Sequence, residues 1–169
     1  TVTLNARSGV YAGNLVGTYS YGWNGYSYVN NATYFTRSVV QLTQLGYPVA
    51  FDSGYQMQRT DAVGWYYATG SLKNTQLGSA QTGGSSGGPW LTNFGTRPSV
   101  SSSASLGSSN IQAVVGTTSY GAVAVGYNRQ GASFFGQNKE YPSSNYGGHG
   151  AGNIGSLVQG TCVARPWAC

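Results

Sequence analysis

Glycine recurs so often in this chain that only Tyr26 to Leu45 runs for more than eleven residues without it. A glycine inside a helix costs roughly 1 kcal/mol relative to alanine, and no stretch here sustains an apolar period of 3.6. Between the glycines lie short runs rich in β-branched and aromatic residues: Asn14 to Tyr21, Ala32 to Leu45, Gly54 to Arg59, Val63 to Thr69, Gly88 to Asn93, Ile111 to Ser119 and Ala122 to Tyr127. Turn residues separate them at short intervals. That pattern predicts an all-β domain, a barrel or a sandwich, with one short helix near the C-terminus from Asn153 to Val158.

The 169 residues suffice for one domain, residues 1–169, with a sizeable core. Charged residues make up 7 % and hydrophobic ones 40 %, the reverse of a disordered chain. Residues 96–110 form a serine-rich, low-complexity segment between two strong strand signals, which reads as an exposed loop and not as a linker. Residues 137–152 read as a second surface segment.

Eight Lys+Arg against three Asp+Glu give a net charge of +5. The basic residues are scattered, so a nucleic-acid partner is not expected. A lone histidine, His149, and so few acids offer no metal site, and no glycine-rich phosphate loop precedes a lysine; no cofactor is expected. No membrane span is visible. Cys162 and Cys169 could close a loop of about eight residues, worth roughly 2–3 kcal/mol in the chain-entropy model. Asn31-Ala32-Thr33 is a glycosylation sequon. The first residue is Thr1 and not Met. Together these point to a processed, secreted protein from an oxidising compartment.

The stretch "QTGGSSGGPW", Gln81 to Trp90, sets a serine among glycines. Gly84-Ser85-Ser86-Gly87-Gly88-Pro89 resembles the nucleophile motif of trypsin-like, chymotrypsin-fold serine proteases. Two further segments fit: Ser119-Tyr120-Gly121 resembles the edge on which that family lays its substrate backbone, and Gly46-Tyr47-Pro48 with the residues after it resembles the V8-like branch. The resemblance implies an antiparallel β-barrel, Ser86 as nucleophile, and the amides of Gly84 and Ser86 as oxyanion hole. It implies a pocket base at Ala80, walls at Gln81 and Gly121, and peptide contacts from Ser119, Tyr120 and Gly121. Thr118 replaces the histidine of glutamate-specific members. Ser85 stands where many members carry an aspartate that binds a freed N-terminus.

The family's base and orienting acid lie upstream, in an N-terminal barrel of about a hundred residues. No histidine precedes Ser86 here, and Asp52 and Asp61 fall within the matched second half. The expectation is the C-terminal barrel of a secreted endopeptidase, inactive alone, whose partner chain supplies His and Asp and whose substrate is a peptide or protein. The alternatives are a non-catalytic, protease-derived binding domain and an unrelated adhesive β-protein that would use Tyr19, Tyr21, Trp23, Tyr26 and Tyr28.

Overall fold

A computed structural model describes residues 6–21, 38–69, 72–95, 113–122, 128–133, 135 and 154–166. Its elements are α1 (Ala12–Val16), β1 (Ser20–Tyr21), β2 (Val39–Gly46), a single 3-10 turn (Asp52–Gly54), β3 (Gln58–Thr69), β4 (Leu72–Gly78), β5 (Pro89–Thr92), β6 (Ala113–Thr117), β7 (Tyr120–Ala122), β8 (Arg129–Ser133) and α2 (Ile154–Ala164). The strands form one sheet in the order β1-β6-β5-β2-β3-β4-β8-β7. Every pairing is antiparallel except β1 with β6, which is parallel.

The sheet curls because β6 and β7 are two halves of one extended segment, Ala113 to Ala122. Its first half pairs with β5 and its second half with β8. The circuit β2, β3, β4, β8, β7/β6, β5 thus returns to β2. The halves meet at Thr118-Ser119, the place where the site is assembled. The all-β expectation and the short C-terminal helix both hold, the helix being longer than Asn153 to Val158.

Inside, Val40, Leu42, Leu77, Trp90, Ala113, Val115 and Ala132 form a buried apolar cluster. Their burial, at about 25 cal/mol per Å² of apolar surface, is the main force closing the sheet. Beside them lies an equally buried polar set that includes Gln44, Thr75, Gln76, Ser79, Gln81, Thr118 and Gln130. Strand β2 crosses from one set to the other: Val40 and Leu42 face the apolar cluster, and Gln44, two residues further on the same face, enters the polar one.

Some elements depart from expectation. Asn14 to Tyr21 is not one strand; α1 occupies its start, Gly17 ends that helix at φ 79°, and only Ser20–Tyr21 pairs with the sheet. Leu15 and Val16 are exposed, so no burial rewards an extended backbone there. Gly54 to Arg59 and Val63 to Thr69 are not two strands. Gln58–Thr69 is one, because Thr60, Asp61 and Ala62 stay in ladder opposite Gln44, Thr43 and Leu42. Strands β4 and β8 carry no clear sequence signal. The segments 32–37, 96–110, 123–127 and 137–152 lie outside the described residues. So do Asn31, Trp23, Tyr26, Tyr28, His149 and Cys169.

Candidate active site

The loop between β4 and β5 is shaped by its glycines. Gly84 adopts φ 96°, open to glycine and strained for other residues. A Cβ there would lie 2.5 Å from the Tyr47 carbonyl oxygen. Gly88 is constrained differently: a Cβ would lie 2.1 Å from the Leu45 carbonyl oxygen. Both glycines let the loop press against the end of β2 and the segment after it.

Backbone bonds fix the bend. The Ser85 amide donates to the Thr82 carbonyl at 3.2 Å, and Gly88 donates to Ser85 at 2.9 Å. Val49 donates to Gly83 at 2.8 Å, tying the loop to the Tyr47-Pro48 turn. On its other side Gly87 donates to the Thr118 carbonyl at 2.8 Å, and the Thr118 amide returns a bond to Gly88 at 2.9 Å. Among the described residues, the amides of Gly84 and Ser86 donate no backbone bond. Bound and unbound amides thus alternate across the bend, and Ser86 itself is exposed.

Ser85 behaves oppositely. It is 1 % exposed, and among the described residues its Oγ has no hydrogen-bond partner. A Cβ on Gly46 would lie 3.1 Å from that oxygen. This interior place holds a neutral hydroxyl and no carboxylate.

The Ser-aromatic-Gly segment follows the Thr118 junction. The Ser119 amide donates to the Gly131 carbonyl at 3.0 Å, so an edge bond from Ser119 to a further strand would come from its carbonyl. Tyr120–Ala122 lies at the end of the sheet order, with β8 on one side. The Tyr120 ring lies over Gly131, where an added Cβ would come within 2.1 Å of it. Its hydroxyl accepts a bond from Gln76 at 3.2 Å.

Ala80 is exposed. The Gln81 side chain does not face Gly121. Its Nε2 reaches the Gln58 carbonyl at 3.4 Å and the Thr60 hydroxyl at 3.2 Å, both on β3. The Gln81 backbone instead joins a ring of hydrogen bonds that sequence reading missed. Gln44 Nε2 donates to Gln130 Oε1, and Gln130 Nε2 donates to the Gln81 carbonyl. The Gln81 amide donates to Ser79 Oγ at 3.1 Å, and Ser79 Oγ donates to Gln44 Oε1 at 2.7 Å. Thr118 Oγ1 is docked to the ring by Gln44 Nε2 and by Trp90 Nε1, each at 2.9 Å.

Of the two upstream acids, Asp61 is held on the barrel wall. Its carboxylate accepts bonds from Arg59 Nε at 2.7 Å and Thr43 Oγ1 at 2.5 Å. Asp52 opens the turn after Phe51, at φ 47°. Among the described residues no group of three or more His, Cys, Asp or Glu could hold a metal ion. No helix among them is long and apolar enough to cross a membrane.

No family model matches the chain, and no curated protein matches it. Among solved structures, the chain is similar to a thermostable serine protease, AL20, from an extremophilic microorganism, with a TM-score of 0.50 and 21 % identity. The likeness covers 88 % of this chain and 56 % of that one, so this chain spans little more than half of that protein's length. At this identity it is the fold that is shared: a chymotrypsin-like serine protease fold.

Proposed function

We propose that this chain is the C-terminal, nucleophile-bearing barrel of a secreted serine endopeptidase of the V8-like branch. The observation that carries the reading is the bend at Gly84–Ser86, with an exposed serine beside two amides that make no backbone bond among the described residues. Ser86 Oγ attacks a peptide carbonyl carbon, and the oxygen becomes an oxyanion that the Gly84 and Ser86 amides receive. Each such donor contributes about 3–4 kcal/mol to the transition state. The C–N bond then breaks, the amine leaves with the proton taken from Ser86, and water hydrolyses the acyl-serine. Tyr120–Ala122 offers a sheet edge to which an extended peptide adds as a strand.

A serine needs a base, and in this reading the base is a histidine, oriented by an aspartate, on an N-terminal barrel that docks against this one. The neighbour's greater length leaves room for such a unit. A Cys162–Cys169 bridge and sugar on Asn31 belong to the same secreted reading.

The test is labelling with a fluorophosphonate in material purified from its source, alongside native mass spectrometry. The expected result is a companion chain of about a hundred residues carrying His and Asp, label on Ser86, and no label after Ser86→Ala. A companion with that histidine and aspartate but an unlabelled Ser86 would overturn the proposal. Peptide binding without label would favour a non-catalytic, protease-derived domain.

A further inference from the structure

In the reading above, the side chain on the acyl side of the cleaved bond enters between Ala80–Gln81 and Ser119–Gly121. That space already has an occupant. Gly121 pairs directly with Gln130 across β7 and β8. Neighbours in such a pair project from the same face, and a Cβ on Gly121 would meet Gln130 Cγ at 3.4 Å and Nε2 at 3.7 Å. From there the Gln130 side chain crosses to the Gln81 carbonyl, the opposite wall, and donates to it. One amide therefore spans the two walls. It is 5 % exposed.

Gln130 is not poised to swing aside. Its Oε1 accepts from Gln44, whose own carbonyl is held by Ser79 and whose amide is also bound to Thr118. Moving Gln130 would leave the Gln81 carbonyl and the Gln44 amide without these bonds in the interior. A buried polar group stripped of its partner is costly, and a connected set is lost together. The groups lining the space are all uncharged: Ala80, Gln81, Thr118, Gly121 and Gln130.

We propose that Gln130, locked by Gln44 and Gln81, fills the acyl-side pocket and limits this protein to peptides with glycine, alanine or serine at that position. The substrate class rests on the protease reading; the occupied pocket rests on the hydrogen-bonded ring alone.

The experiment has two arms, both on the full chain with any companion it carries. The first titrates p-cresol, a stand-in for an aromatic side chain, and follows backbone amide shifts. The wild type is expected to show no saturable shift at Gly121 or Gln81. Gln130→Gly is expected to show one at both. The double variant Gln44→Leu/Gln130→Gly, which removes the orphaned amide, does the same if the single variant folds poorly. Saturable binding at those amides in the wild type, or none in either variant, overturns the proposal. The second arm compares peptidyl diphenyl phosphonates bearing alanine or phenylalanine on the acyl side. The wild type is expected to react with the alanine reagent at least about tenfold faster, and Gln130→Gly to narrow that ratio by about tenfold. A wild type that prefers phenylalanine overturns the proposal. If neither reagent reacts but cresol enters only the variants, the protease reading falls and the occupied pocket stands.

Discussion

Along one face of β2 the chain reads Val40, Leu42, Gln44, and the three side chains enter two different interiors. The first two join Leu77, Trp90, Val115 and Ala132, where contact is apolar and non-directional. The third joins Gln130, Ser79, Thr118 and the Gln81 backbone, where each group is aimed at another. Both interiors are buried, but their contacts differ in kind. Apolar burial drives the sheet to curl and tolerates some rearrangement. A closed ring of hydrogen bonds fixes positions, because a shift of one member breaks two bonds. The ring lies where β4 runs into the glycine-rich loop and where β6 breaks at Thr118. Directional contacts thus stand where geometry matters for the proposed chemistry, and apolar ones where only stability does.

The largest expected effect lies in the apolar interior. Leu42 is 1 % exposed, and its Cδ1 lies hard against Gly64, where an added Cβ would come within 3.1 Å. Leu42→Ala removes three buried carbons and leaves a cavity in a sheet with little freedom to collapse. Urea unfolding should show a loss of about 2–5 kcal/mol. The amide shifts of Gly84, Ser86 and Gln81 should stay close to wild type. A variant that keeps its stability but scatters those shifts would break the division of labour.

The two interiors were unequally legible in the sequence. The bend at Gly84–Ser86 could be read because its glycines are required by the backbone: φ 96° at Gly84 and a carbonyl pressed on Gly88 leave no room for choice. Strand β5 and the core of β2 could be read from "PWLT" and "VVQL", whose apolar residues are those buried. Strands β4 and β8 could not. Asn74, Thr75, Gln76 and Gln130 are buried in them, and a scale that scores polar residues as exposed reads "LKNTQLG" and "RQGAS" as loop. Gln44 and Gln130 escaped notice for the same reason. The available signal was an uncharged amide inside an apolar run, as in "LTQL". Asn14 to Tyr21 erred the other way: its aromatic and β-branched content suggests a strand, yet Leu15 and Val16 bury nothing.

An intermediate effect sharpens the comparison within the ring. Gln44→Leu keeps the volume nearly constant but strips the Ser79 hydroxyl of its acceptor and Gln130 Oε1 of its donor. The expected loss is about 1–3 kcal/mol, from unmet hydrogen bonds and not from a cavity. Adding Gln130→Leu removes one orphan, so the double variant should be more stable than the sum of the single losses implies, by about 1 kcal/mol. Denaturant unfolding of the four proteins measures this coupling. Strict additivity would mean that the two amides do not act as a unit, and that the ring holds nothing in place.

The smallest effect concerns a polar contact on the other face of β2. Thr43, next to Gln44, is itself buried but bonds to the half-exposed Asp61, which Arg59 also grips. Partial burial pushes the Asp61 carboxyl up, but the hydrogen bonds from Arg59 and Thr43, with the Arg59 charge, bring it below its ordinary value. A carboxyl that binds protons less tightly when folded adds stability while ionised. The contribution is present above the unfolded value, about pH 4, and is lost as pH falls through the lower folded one. Both side chains are about half exposed, so water screens the pair and the contribution should stay below about 1 kcal/mol. Comparing Asp61→Asn with wild type by urea unfolding at pH 7 and pH 3 should give a small difference at pH 7 that shrinks at pH 3. An Asp61→Asn loss as large as that of Gln44→Leu would mean that burial is not what separates the ring from an ordinary surface contact one residue away.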